Sequence, residues 1–160
     1  MQLAQPRFVD MGPMTIVGLL RRYSPSTIGQ INTQWSAVQS EAAAVTGRLG
    51  GESYGVWYDV LKGGREFLYL TGVTVGEFAP VHPGLSRAIV PAQRYAVFLH
   101  QGNVGEVRQT VDAVLSQWLP KSGYRVSHPQ AEAPDFIERY SAEFASTGKG
   151  AIEIWLPVTK

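Results

Sequence analysis

The order strand, helix, strand, strand occurs twice in these 160 residues, and this repetition limits the available folds more than any single motif. Met14 to Tyr23 sets Thr15, Val17 and Leu19 against Ile16, Gly18 and Leu20, so apolar side chains fall on both faces, as in a strand inside a sheet. Ser24-Pro25-Ser26 ends it, and Thr27 with Gln30 reads as a capping box. Ile28, Ile31, Trp35, Val38, Ala42, Val45 and Leu49 then recur at spacings of three and four, which predicts a helix with one buried stripe, closed by Gly47, Gly50 and Gly51. Ser53 to Val60 and Glu66 to Val75, rich in Tyr, Trp, Val and Phe, predict a hairpin turned at Lys62-Gly63-Gly64.

The second pass follows a connector over 76–91 that holds Pro80, Pro83, Gly84 and Pro91. Gln93 to His100 reads as a strand, and Asn103 with Glu106 as a second N-cap pattern. Val104, Val107, Val111, Val114, Leu115 and Trp118 form a helical stripe expected to stop at Leu119-Pro120. Asp135 to Phe144 and Ala151 to Val158 read as another strand pair, turned at Thr147-Gly148-Lys149-Gly150. Residue by residue, Tyr54 to Tyr58 matches Phe136 to Tyr140, and Phe67 to Val73 matches Ile152 to Val158. The expectation is an α+β fold: one domain over 1–160, made of pseudo-repeats at about 14–75 and 91–158, with two helices on a curved antiparallel sheet and a pseudo-twofold axis.

Composition excludes several classes of function. Fourteen Lys and Arg against thirteen Asp and Glu leave a formal charge of +1, so no bulk field draws the chain to nucleic acid or anionic lipid. Cysteine is absent, which removes disulfides, thiol nucleophiles and thiolate metal sites. His82, His100 and His128 show no metal-ligand spacing, and no Gly-x-Ser-x-Gly elbow is present, so neither a metal, another cofactor nor a serine hydrolase is expected. No signal-like start and no long apolar run occur, so a cytoplasmic protein without membrane contact is expected. Charged residues are 17% and aromatics 11% of the chain, a balance that suits an ordered fold with rings near a ligand.

Five stretches together resemble the GyrI-like small-molecule-binding family: Tyr54-Gly-Val-Trp-Tyr-Asp59, Pro91 to Gly102, Trp118-Leu-Pro-Lys-Ser-Gly-Tyr124, Pro134-Asp-Phe-Ile-Glu-Arg-Tyr140 and Ile152-Glu-Ile-Trp-Leu-Pro-Val158. That family includes effector-binding domains of AraC-type and multidrug-sensing bacterial regulators and stand-alone gyrase-inhibitory proteins. The resemblance implies a ligand cleft between the helices and the sheet. Too few residues precede Met14 for a helix-turn-helix module, so a stand-alone member without direct DNA contact is expected.

Two carboxylates lead the candidate site. Alternation leaves Glu153 and Trp155 together on the face opposite Ile152, Ile154 and Leu156. A carboxylate beside an indole suits an organic cation, with about 0.5 to 2 kcal/mol of cation–π attraction. The alternative is a solvent-facing glutamate; the resemblance favours the ligand role, and Glu153→Gln is then expected to weaken a cation several-fold at constant melting temperature. Glu138 shares a face with Phe136 and Tyr140, and the family pattern has an acidic pocket group here; the alternative is a surface pair with Arg139, worth about 0 to 1 kcal/mol. If both carboxylates face one apolar cleft, burial and mutual repulsion raise at least one pKa. Tyr54, Trp57, Tyr69, Phe98, Tyr140 and Trp155 are the candidate cleft walls, although Tyr54 and Trp57 point to opposite faces. Trp35 and Trp118 are assigned to packing, with a pocket edge as the alternative, and His100 to a turn. The function expected is binding of aromatic or cationic small molecules. The alternatives implied by the resemblance are hydrolysis of cyclopropane-containing or related electrophiles, with one of these glutamates as general base, and a protein contact with DNA gyrase or a regulatory partner.

Overall fold

The computed structural model describes residues 3–42, 45–61 and 65–160. In chain order its strands are β1 (Arg7–Met11), β2 (Met14–Tyr23), β3 (Ser53–Tyr58), β4 (Phe67–Val75), β5 (Ser86–Val90), β6 (Gln93–Leu99), β7 (Arg125–Val126), β8 (Phe136–Tyr140) and β9 (Ile152–Thr159). The helices are α1 (Ile31–Ala42), α2 (Val107–Ala113), α3 (Leu119–Ser122) and α4 (Ala142–Thr147). All pairings are antiparallel, in the order β1-β6-β9-β8-β3-β4-β2-β5, with β7 beside the end of β9. The α+β class and the doubled strand-helix-strand-strand unit therefore stand: β2-α1-β3-β4 fills one side of the sheet, β6-α2-β8-β9 the other, and β3 meets β8 at the centre. Each side is completed by one more strand: the N-terminal β1 pairs with β6, and β5, from the connector between the halves, pairs with β2.

The pairing registers fix how the halves correspond. Keeping every side chain on its own face, Tyr54 matches Ile137, Gly55 matches Glu138, Trp57 matches Tyr140 and Gly72 matches Trp155. This corrects the match of Tyr54 to Phe136 read from sequence, because a one-residue offset exchanges the two faces of a strand. The pseudo-twofold axis passes through the Gly55–Glu138 pair at the centre of the sheet.

Several elements differ from expectation. The first helix begins as a 3-10 turn at Ile28–Gln30, and Thr27 bonds back to Ser24 instead of capping it. Val45 and Leu49 lie beyond the helix; Leu49 instead donates its N–H to Thr74 O at 2.8 Å, following a bridge of Arg48 to Val75. The side chains of Val38 and Ala42 and the Lys62-Gly63-Gly64 turn lie outside the described residues. In the second helix Asn103 bonds Glu106 through side chains at 2.8 Å but caps no backbone N–H. That helix continues through Pro120, because a wide π turn over Val114–Trp118 puts the proline in the opening turn of α3, where it has no N–H to leave unpaired; Gly123, at φ 78°, ends it. Residues 142–147, of which 142–144 were expected in a strand and 147 in the following turn, form α4, whose N-cap Ser141 accepts from Phe144 N at 3.2 Å.

The sheet buries both faces. On the helix side pack Tyr23, Trp57, Tyr69, Phe98, Phe136, Tyr140 and the Ile152-Ile154-Leu156 row; on the other lie Ile16, Tyr54, Val56, Leu70, Tyr95, Val97, Ile137 and Trp155. Gly18 and Gly72 face each other across β2 and β4, and a Cβ on Gly18 would sit 1.9 Å from Thr71 O and 2.6 Å from Gly72 Cα. Backbone cannot yield as a side chain can, so Gly18→Ala is expected to cost about 2 kcal/mol or more; thermal melts check this, and an unchanged melting temperature would show that the strands can separate at no cost.

Candidate functional site

Glu138 stands at the centre of the helix-side face and is 3% exposed. Its Oε1 accepts from Tyr69 Oη at 2.6 Å and Tyr140 Oη at 3.2 Å. Gly55, directly across the strand pair, makes the room: a Cβ there would lie 2.3 Å from Tyr69 Oη and 2.6 Å from Glu138 Oε1. Among the described residues no cation lies within ion-pair distance of this carboxylate; Arg108 acts on it only through space. Burial raises its pKa, opposed in part by Tyr69, Trp57 and Tyr140, and the same burial pushes the Tyr69 and Tyr140 phenols well above their usual range.

Aromatic rings enclose it. Trp57 packs on Tyr69 at 4.3 Å between centroids and stacks on Phe136 at 5.5 Å. Its indole N–H is near enough to favour the ionised Glu138 yet makes no hydrogen bond within 3.5 Å, which leaves a buried donor unpaired. From α1, half-buried Trp35 closes the cluster edge-on to Tyr140 at 4.7 Å and donates Nε1–H to Tyr69 Oη at 2.9 Å. Gln34, one residue earlier and fully buried, holds α1 to the sheet: Nε2 donates to Leu19 O, Tyr69 O and Thr71 Oγ1 at 2.8 to 3.1 Å, and Oε1 accepts from Tyr23 Oη.

Glu153 lies on the other face, beside Arg139 of β8. It is 8% exposed and not open to solvent: Arg7 reaches Oε2 at 2.7 Å, Arg139 reaches Oε1 at 3.1 Å, and the Trp155 indole donates to Oε1 at 3.2 Å. Burial alone would raise its pKa, but Arg7, Trp155 and Arg139 outweigh it and hold the carboxyl below its usual range. Arg139 also binds Glu52 at 3.0 Å, so it is not the partner of Glu138. Of the residues singled out from sequence, Glu138, Tyr140, Trp57 and Tyr69 come together. Glu153, Trp155 and Tyr54 lie behind the sheet, so the two carboxylates do not share a cleft. Phe98 is on the helix side but two strands away, separated from Glu138 by Ile154, and packs edge-on to Trp118 at 5.0 Å.

Trp35 takes the edge position that was its alternative to packing, whereas Gln34 and Gly55 were passed over. Gln34 had a visible signal, a polar residue inside an apolar stripe; Gly55 had none until its cross-strand partner was fixed. His100 serves a turn, its ring bonded to Thr110 Oγ1 and Asn103 O at 2.7 Å each. Among the described residues no cluster of three or more ligating side chains could hold a metal, and no helix is long and apolar enough to cross a membrane.

The doubled α+β sheet, with a carboxylate ringed by aromatics on its helix side, is the architecture to set beside known proteins. The chain belongs to the GyrI-like family: the model of the GyrI-like small molecule binding domain matches residues 4–159. It is 31% identical over 159 residues to the transcriptional regulator BrlR of Pseudomonas aeruginosa, covering 95% of this chain and 54% of that protein. It is 35% identical over 77 residues to a DNA gyrase inhibitor of Erwinia billingiae, covering 48% and 46%. The matches thus span about half the length of each relative. The solved structure of SAV2435 bound to tetraphenylphosphonium shares the fold with a TM-score of 0.72 at 21% identity, covering 98% of this chain and 94% of that one.

Proposed function

We propose that this protein binds lipophilic organic cations at Glu138, within the rings of Trp35, Trp57, Tyr69 and Tyr140. The observation that carries the proposal is a buried carboxylate with no cation within reach in a cage of aromatic faces, two complementary ways of attracting one positive charge. The unpaired Trp57 N–H adds a donor that keeps the carboxylate ionised once a cation replaces the proton. A ligand enters by displacing Trp35, the half-buried ring on the helix side. Binding of tetraphenylphosphonium by the similar SAV2435 supports this class of ligand. Glu153 is already neutralised by Arg7 and Arg139, so on this reading it holds β1, β8 and β9 together. Calorimetric titration with tetraphenylphosphonium tests the reading: Glu138→Gln should lose most of the affinity, whereas Glu153→Gln should keep it and melt at a lower temperature. The reverse pattern would move the site behind the sheet.

A catalytic reading rests on the same group, since a carboxyl with a raised pKa between two phenols has the make-up of a general acid–base pair. Incubation with cyclopropane-containing electrophiles and mass analysis tests it; binding without product would reject turnover. A contact with DNA gyrase is a separate proposal, supported by the name of the Erwinia relative and tested in a supercoiling assay.

A further inference from the structure

Given the cation site proposed above, on which this reading rests, we propose that the indole N–H of Trp57 is its second recognition group, and that the ligands selected are lipophilic cations with a hydrogen-bond acceptor oxygen close to the charge. Trp57 is 6% exposed, and its Nε1 is one of two buried side-chain nitrogen or oxygen atoms without a hydrogen-bond partner among the described residues. The other, Gln93 Oε1, belongs to β6 and lies behind the sheet, where the same side chain donates through Nε2 to Tyr95 Oη.

The Trp57 ring is not free to turn toward an acceptor. In the strand register it stands between Tyr69 of β4 and Phe136 of β8, and it packs on them at 4.3 and 5.5 Å between centroids and on Phe67 at 5.2 Å. Two other indoles use the same atom: Trp35 Nε1–H donates to Tyr69 Oη, and Trp155 Nε1–H donates to Glu153 Oε1. A buried donor without an acceptor is costly and calls for a reason. This one stands beside the carboxylate assigned to the ligand.

Trp57 Nε1–H lies near enough to Glu138 to favour the ionised carboxylate, an influence exerted through space that leaves the hydrogen bond itself unused. The neighbouring polar groups are committed: the Tyr69 and Tyr140 hydroxyls donate to Glu138 Oε1, and the Tyr69 oxygen receives the Trp35 N–H. A cation drawn to Glu138 therefore meets carboxylate oxygen and the negative faces of aromatic rings, with the uncommitted Trp57 donor beside them. Because donor and carboxylate are neighbours, an ether, carbonyl or hydroxyl oxygen on a short arm of the ligand takes the N–H while the charge stays at Glu138. The bond so gained replaces none that the protein makes. An alkyl arm of the same length leaves the donor unpaired.

The test is calorimetric titration of the full chain with two cations of equal length, benzyl(2-methoxyethyl)dimethylammonium and benzyl(butyl)dimethylammonium. Transfer into an apolar cage favours the butyl compound, so the opposite order isolates the hydrogen bond. The methoxyethyl compound should bind at least about fivefold more tightly. Trp57→Phe, which keeps an aromatic face, should remove that difference, whatever it does to the affinity the two compounds share. Without any substitution, the Trp57 indole proton of ¹⁵N-labelled protein should move further downfield with the methoxyethyl compound than with the butyl one. Equal affinities, equal movement of that proton, or a difference that survives Trp57→Phe, in a protein whose binding still requires Glu138, would overturn the role of Trp57 alone. Failure of both compounds to bind, or affinities indifferent to Glu138→Gln, would overturn the cation site and the role of Trp57 with it.

Discussion

Replacing Glu138 with glutamine should raise the melting temperature at neutral pH and remove most of the affinity for a lipophilic cation. Burial raises the folded-state pKa of this carboxyl above its ordinary value of 4.5. The native state then holds the proton more tightly than the unfolded chain does. Its contribution to stability is complete below 4.5 and is lost as pH rises through the raised value, because an ionised carboxylate must then be kept in an apolar cage. Glutamine is never ionised, and Tyr69 and Tyr140 can still donate to its carbonyl. The variant should therefore gain stability toward neutral pH and lose the wild-type fall in stability across that window, as read by denaturation over a pH series. A bound cation, by contrast, loses the carboxylate and keeps the aromatic faces. Removing one member of a buried charge pair costs about 2 kcal/mol or more, roughly thirtyfold in affinity. Wild-type affinity should itself fall as pH drops below the raised pKa, where the proton competes with the ligand. A glutamine variant that melts lower and binds equally well would remove Glu138 from the site.

Asp135→Ala should produce a large loss of stability. Asp135 is 3% exposed and receives three donors: Val60 N, Leu61 N and His128 Nε2. Its own N–H donates to Trp57 O at 2.8 Å, so it ties the end of β3 to the start of β8, across the junction of the two halves. Hydrogen bonds to a charged group contribute about 1.5 to 3 kcal/mol each, and the orphaned backbone donors add a desolvation cost. The expected loss is about 3 kcal/mol or more, a fall of roughly 6 to 12 °C for a chain of this size. Asp135→Asn, which keeps one acceptor, should fall between wild type and alanine. A shift under about 2 °C for alanine would mean that water replaces the carboxylate without penalty.

Much of the fold was legible because its strands are interior ones. β2, β4, β6 and β9 are rich in β-branched and aromatic residues, since neighbours pack on them from both sides, and they fell within a residue or two of their expected bounds. Three strands escaped notice: the two-residue β7, and β1 and β5, which are the edges of the main sheet. An edge strand has one partner and a looser apolar pattern: Phe8 is 44% and Ile89 63% exposed, and β5 hides between prolines in what reads as a connector. The start of α4, 142–144, reads as strand because Phe136, Tyr140 and Phe144 continue an aromatic spacing that fits either period, while Ser141, the cap that breaks it, carried the signal.

The candidate site divides in the same way. Strand alternation alone determined that Glu138 travels with Phe136 and Tyr140, and Glu153 with Trp155, because successive side chains must point to opposite faces. The absence of cysteine had already removed thiol chemistry. Which face meets the helices, and therefore which carboxylate stays without a cation, was decided by cross-strand register: Glu138 stands beside Ile154 and under α1, whereas Glu153 stands beside Arg139 and within reach of Arg7 from a strand 146 residues away in sequence. Periodicity is local and survives in one dimension. Partnership between distant charges is a property of the folded sheet, and it is what separates Glu138, buried with no ion pair among the described residues, from Glu153, neutralised by Arg7 and Arg139.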